Sequence, residues 1–266
     1  VAFPTIPTVA ASRVLFTNQA NTTSPRTFPN LSSLTKNSGD LLIAIICAYQ
    51  SSTGQGAPGG SVFSSWGGSF TEFCDQMTTN SSTMAIGAAY KISDGTETGT
   101  FTVAQAATIT GHASLCLLSI PGAHQSTAPE VGTIANGTAA ASDPGSLNPS
   151  GWDVEDTLWI SVQANGMTSG TGSWTACGAT APTNYSNWAD SNTTDSSTVG
   201  QTEIAVAFRQ NAAASEDVGT ASGHDLSNAR NSSLLIAVRP AAETFNPDRV
   251  RHIVIDQTAA LMAAVR

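Results

Sequence analysis

Charge is the scarcest property of this 266-residue chain: 11% of its residues are Asp, Glu, Lys or Arg, against roughly 25% in ordinary soluble proteins. Lysine occurs only at Lys36 and Lys91. The surface must then be made mostly of Ser, Thr, Asn, Gln and Gly. Ser, Thr and Asn divert backbone hydrogen bonds from helical geometry, so such a surface suits strands and turns. The net charge is −9, and a nucleic-acid groove needs clustered Lys and Arg, so no nucleic-acid partner is expected. No apolar run reaches the length of a membrane span, no secretory pattern stands at Val1, and no membrane partner is expected.

The signatures of chemistry are also missing. There is no phosphate loop, dinucleotide fingerprint or HExxH, and "GGSFT" at 67–71 lacks the second Gly of a nucleophile elbow. Cys47, Cys74, Cys116 and Cys177 form no CxxC pair. Cys47 and Cys116 sit in apolar runs and read as small buried hydrophobes. A Cys74–Cys177 disulfide has no sequence support. His112, His124, His224 and His252 are not spaced as a metal pair. His112, at a strand entrance, and His124, just past a strand end, read as surface or turn residues. Asp94 and Glu97 in "SDGTETG" lack the acidic spacing of a calcium loop, which leaves turn chemistry. Glu72 with Asp75, and Glu155 with Asp156, are the carboxylate pairs to test for glycoside hydrolysis. No cofactor is expected, and the chain does not read as an enzyme.

What the chain has is strands, written twice. "GDLLIAIICAY" (39–49) matches "EDTLWISVQAN" (155–165), with Asp40 on Asp156, an offset of 116. "MAIGAAYK" (84–91) matches "TEIAVAFR" (202–209), with Ile86 on Ile204, an offset of 118. "ASLCLLSIPGA" (113–123) matches "SSLLIAVRPA" (232–241), with Leu115 on Leu234, an offset of 119. Three matches in one order point to an internal duplication. The near-continuous apolarity of 41–48 predicts a strand covered on both faces, or one central in a sandwich. In the second copy Leu158, Ile160 and Val162 should face the core, and Thr157, Ser161 and Gln163 solvent. Weaker strands fit 12–18, 69–76, 99–105 and 183–191, with 93–99 as a turn.

About twelve strands with turn-rich connections predict an all-β fold, an antiparallel β-sandwich, jelly-roll-like, with pseudo-duplicated halves. Residues 1–11 read as an extended N-terminal arm, and 12–242 as the sandwich, with pseudo-repeats 12–123 and 124–242. Residues 243–266 form a composition-shifted extension carrying three of the eight arginines. Its Arg249, Arg251, Ile253, Ile255, Leu261 and Met262 are the candidate partner-binding residues, because such an apolar strip is seldom left in water. Trp152, Tyr185 and Trp188 lie in polar segments. They could stack on sugar rings, or they could cap the ends of the core.

The order Gly39-Asp40-Leu41, Trp66, Ala89-Tyr90-Lys91 and Pro121-Gly122 resembles a β-sandwich type found in bacteriophage virion proteins. The resemblance covers about residues 38–240. It implies a structural or accessory part of a head or tail, exposed on the particle surface after assembly in the host cytoplasm. It further implies other virion proteins and further copies of the chain as partners, bound through the terminal arms. A glycan-binding tail-fibre or adhesion module is the alternative, and a glycoside hydrolase the third.

Overall fold

The computed structural model describes residues 2–8, 12–18, 24–50, 61–79, 83–105, 111–137, 141–167, 181–192, 201–222 and 229–242. These hold sixteen strands and two short 3-10 turns. In chain order the strands of the first half are β1 (Arg13–Asn18), β2 (Arg26–Asn30), β3 (Leu41–Gln50), β4 (Phe63–Trp66), β5 (Thr71–Thr79), β6 (Thr83–Ile92), β7 (Thr100–Gln105) and β8 (Ala113–Ile120). The second half supplies β9 (Glu130–Val131), β10 (Ala135–Gly137), β11 (Ala141–Ser142), β12 (Glu155–Met167), β13 (Ser186–Asn192), β14 (Gln201–Ala213), β15 (Ala221–Ser222) and β16 (Ala229–Val238).

All strand pairing is antiparallel. One sheet runs β1-β8-β3-β6-β5 and the other β10-β16-β12-β14-β13, with β9 also on β16. They pack face to face as a β-sandwich around one core that draws Ile43, Ile45, Ile86 and Leu118 from the first sheet and Ile160, Val162, Ile204 and Ile236 from the second. The jelly-roll likeness holds for two packed antiparallel sheets; the strands are divided by halves of the chain, not interleaved. Among the described residues no helix is long and apolar enough to cross a membrane.

The run at 41–49 is covered on both faces, as its apolarity predicts. Leu41, Ile43, Ile45, Cys47 and Tyr49 point at the second sheet. Leu42, Ala44, Ile46 and Ala48 point the other way, into a second apolar layer. A small sheet, β2-β7-β4, closes that layer with Phe28, Phe63, Trp66, Phe101 and Val103. The sequence reading missed β2 and β4, which are short and carry Ser and Pro.

The duplication is visible in the topology. Each large sheet has a central strand (β3, β12) flanked by its two long partners (β6 and β8, β14 and β16). The register fixes the correspondence. Leu41 faces Ile92 and Ile120, and Leu158 faces Gln210 and Val238. The copies are therefore offset by 117 in the central strand and by 118 in both flanking strands. A one-residue bulge recurs between Glu72 and Cys74 and between Ser186 and Ala189. Of the three matches expected from sequence, only Ile86 with Ile204 is in register. Leu42 and Leu115 lie in the outer layer, whereas Leu158 and Leu234 lie between the sheets. A slip of one residue exchanges the faces of a strand.

Other expectations are corrected by burial. Thr157, Ser161 and Gln163 are buried, so the second copy is covered on both faces too. His112 is fully buried, not a surface residue. Cys74 is a free, buried thiol and forms no disulfide. The N-terminal segment does not reach outward: Pro4 and Pro7 are buried, the Thr5 amide donates to the Pro121 carbonyl, and Gln210 Nε2 donates to the Pro4 carbonyl. Its prolines and Ile6 give it apolar surface to bury on its own sandwich. The extension 243–266 lies outside the described residues.

Candidate functional site

An open cleft of about 380 Å³ lies where the two halves meet at one end of the sandwich. The chain leaves β8 through Pro121 and Gly122 and β16 through Arg239 and Pro240, and these exits are cross-linked. Ala123 bridges Pro240, the His124 amide donates to the Arg239 carbonyl, and the Ala241 amide donates to the Gly122 carbonyl. The pairing brings His124 beside Glu155 and Asp156, with Arg239, Pro240, Ala241 and Ala242 completing the wall. Val154, 67% exposed, is the one large hydrophobic side chain among the described residues that is left in water.

Two charges of this cleft, Arg239 and Glu155, are committed to each other. Arg239 donates from both Nε and Nη2 to the Glu155 carboxylate, the bidentate geometry that suits a guanidinium. Its face lies over the Trp152 ring, with Cζ 5.6 Å from the centroid. The hydrogen bond from Arg239 holds the Glu155 carboxyl below the usual range, and the same bond raises Arg239. His124 Nδ1 accepts the amides of Ser126 at 3.3 Å and Thr127 at 3.0 Å. An accepting Nδ1 places the ring proton on Nε2.

The sugar-stacking candidates divide. Trp152 and Tyr185 are each 7% exposed and join Trp159, Leu235 and Val218 in an apolar cluster on the outer face of the second sheet. Neither ring leaves a face open for a sugar; both cap the core. Burial, followed by the nearby Glu216 carboxylate, raises the Tyr185 hydroxyl, whose oxygen stands 3.5 Å from Glu216 Oε1. The Trp188 side chain lies outside what is described, as do Arg249, Arg251, Ile253, Ile255, Leu261 and Met262.

Glu72, Asp75 and Glu155 each hold parts of the sandwich together. Glu72 Oε2 accepts Trp66 Nε1 at 2.7 Å. Asp75 Oδ2 accepts Ser61 Oγ and the amides of Val62 and Phe63 at 2.6–2.8 Å, which pins β4 to β5. Burial raises both carboxyls above their ordinary values. Glu155 and Asp156 are consecutive on one strand and point to opposite faces. The turn at 93–99 has turn chemistry: Asp94 Oδ1 accepts the Thr96 amide and hydroxyl. Among the described residues no three His, Cys, Asp or Glu converge as a metal site.

A second feature escaped the sequence reading. On the outer face of the first sheet stand Ala44, Ile46, Ala48, Ala85, Ala113 and Leu115. The register places Ser161, Gln163, Asn165, Glu203, Asn231 and Ser233 at the corresponding positions of the second sheet, and all are buried. The outer face of the second sheet is thus apolar around Trp159 and Leu235 and polar at these six positions, where the first copy is apolar. Aligning the copies at the right offset would have shown this.

No family model, curated protein or solved structure matches this chain.

Proposed function

We propose that this chain is a bacteriophage virion structural protein, an accessory or decoration component of a head or tail. Its partners are other virion subunits and copies of itself, and its place is the particle surface. The observation that supports this reading is the commitment of the charged side chains to holding the sandwich. Arg239 clamps Glu155, Lys91 holds Glu97 and Arg209 holds Glu216. Arg13, 2% exposed, reaches from β1 to the Asn187 carbonyl and lies over Phe208. A rigid, doubly covered body with a charge-poor exterior suits a scaffold. In this reading Arg249, Arg251, Ile253, Ile255, Leu261 and Met262 carry the contact with neighbouring subunits. Mass spectrometry of purified particles from the source organism tests it: the chain should be present at a fixed ratio to the major particle protein. Its absence sinks the proposal.

A further inference from the structure

The inner faces of the two sheets meet in mirrored pairs. β8 lies against β14 while β6 lies against β16; β1 lies against β13 while β5 lies against β9; β3 crosses β12. Since β6 corresponds to β14 and β8 to β16, each contact has a mate. The sandwich is therefore arranged about an approximate twofold axis through the crossing of β3 and β12, as an isologous dimer interface is. Among the described residues no sheet mixes strands of the two halves. The connection between Ile120 and Glu130 joins them.

On such an axis a residue meets its own counterpart. Tyr49 and Gly166 are 117 positions apart, the offset that carries Leu41 onto Leu158, and they do meet. A Cβ on Gly166 would lie 2.2 Å from Cδ2 of the Tyr49 ring. Two tyrosines here would collide, and two glycines would leave a hole. The interface accepts a first half against a second half and penalises like against like.

We propose that the partner this interface fits, beyond its own chain, is a second copy that exchanges halves. The first half of each copy packs on the second half of the other, and Tyr49–Gly166 enforces that pairing. The hinge is 121–129, nine residues, which extended would span roughly 30 Å. It contains Gly122 at φ +77°. Across the halves, among the described residues, it is held by two bonds, from the His124 amide to the Arg239 carbonyl and from the Ala241 amide to the Gly122 carbonyl, while the Thr5 amide to the Pro121 carbonyl and Gln125 Nε2 to the Gly39 carbonyl at 2.6 Å tie it to the first half. Opening it exposes the apolar inner faces, and the same faces of a second copy rebury them. This proposal does not rest on the virion reading.

Two full-length variants test it by complementation. Tyr49→Gly leaves a hole at the axis and Gly166→Tyr a collision, so each alone should melt below the parent. Unfolded together and co-refolded, they should form a 1:1 dimer by native mass spectrometry that melts above either variant refolded alone. Only exchange of halves sets every tyrosine opposite a glycine. Tyr49→Ala with Gly166→Ala is the milder pair, for use if the first does not refold singly, and should show a smaller gain in the same direction, because its exchanged dimer restores one Tyr49–Gly166 contact and leaves the other as two alanines. Monomers that melt at their separate temperatures would overturn the proposal. So would a mixed dimer without the gain in Tm, because its contact would lie elsewhere.

Discussion

Glu216 accepts a hydrogen bond from the Arg209 guanidinium, and in the other half of the chain Glu97 accepts one from Lys91 at 3.1 Å. The second oxygens are matched as well: Asn211 donates to Glu216 and Ser93 to Glu97, at 3.0 and 2.8 Å. Lys91 with Arg209, and Ser93 with Asn211, are each 118 apart, the offset of β6 and β14. The duplication has kept a buried carboxylate as the stop at the end of each long strand.

Glu216→Ala should therefore destabilise the protein. Hydrogen bonds to a charged group contribute about 1.5–3 kcal/mol, and Arg209 and Asn211 would lose theirs together. A fall of about 2–3 kcal/mol in urea unfolding is expected, with Glu97→Ala in the same direction. An unchanged midpoint for both would show the carboxylates to be ornamental.

Gly87 sits under the aromatic layer of the first half. A Cβ there would meet Phe63 Cδ2 at 2.5 Å and Trp66 Cζ2 at 3.2 Å. Gly87→Ala should cost about 1–3 kcal/mol through overpacking. Gly151 has φ +72° and nothing within 4 Å of its Cβ position, so Gly151→Ala should cost only the backbone term of about 1 kcal/mol. A Gly87→Ala variant with the parental midpoint on denaturant titration would contradict the packing.

Leu158→Asp and Leu42→Asp should both unfold the domain, although the two residues belong to opposite faces of their sheets. An unpaired buried carboxylate costs several kcal/mol, comparable to a total stability of about 5–15 kcal/mol. If Leu42→Asp keeps the parental Tm, the outer layer closed by β2-β7-β4 does not form.

Glu155 gives a pH dependence with a definite sign. Its folded-state carboxyl is held below the ordinary value of 4.5 by Arg239. The stability it contributes is complete above 4.5 and is lost as pH falls through the lower folded value. Glu72 and Asp75, raised by burial, act in the opposite sense: their contribution is complete at low pH and fades as pH rises through their folded values. The Tm gap between the parent and Arg239→Ala should thus narrow as pH is lowered past 4.5. A gap constant with pH would show that the pair adds nothing electrostatic.

Deleting 243–266 should leave Tm unchanged and abolish incorporation into particles, measured by particle assays. Loss of folding would show instead that the extension belongs to the core.

The sequence by itself determined the long strands, the apolar run at 41–48 and the existence of a duplication, though not the short strands β2 and β4. All three follow from apolar spacing and turn residues close together in the chain. The expectation of a turn at 93–99 rests on the same local chemistry. Register was decided only in three dimensions. Sequence similarity aligned Leu42 with Leu158 and Leu115 with Leu234, one residue off each time, because two apolar runs match almost as well at adjacent offsets. Only cross-strand pairing and the shape of the core choose between such offsets. The cleft was illegible for a related reason. His124, Glu155 and Arg239 carry no spacing pattern and meet because two strand exits, far apart in sequence, are bridged. The burial of Trp152 and Tyr185 was likewise a tertiary outcome: polar neighbours in the chain say little about an aromatic ring whose cluster includes Val218 and Leu235 from distant segments.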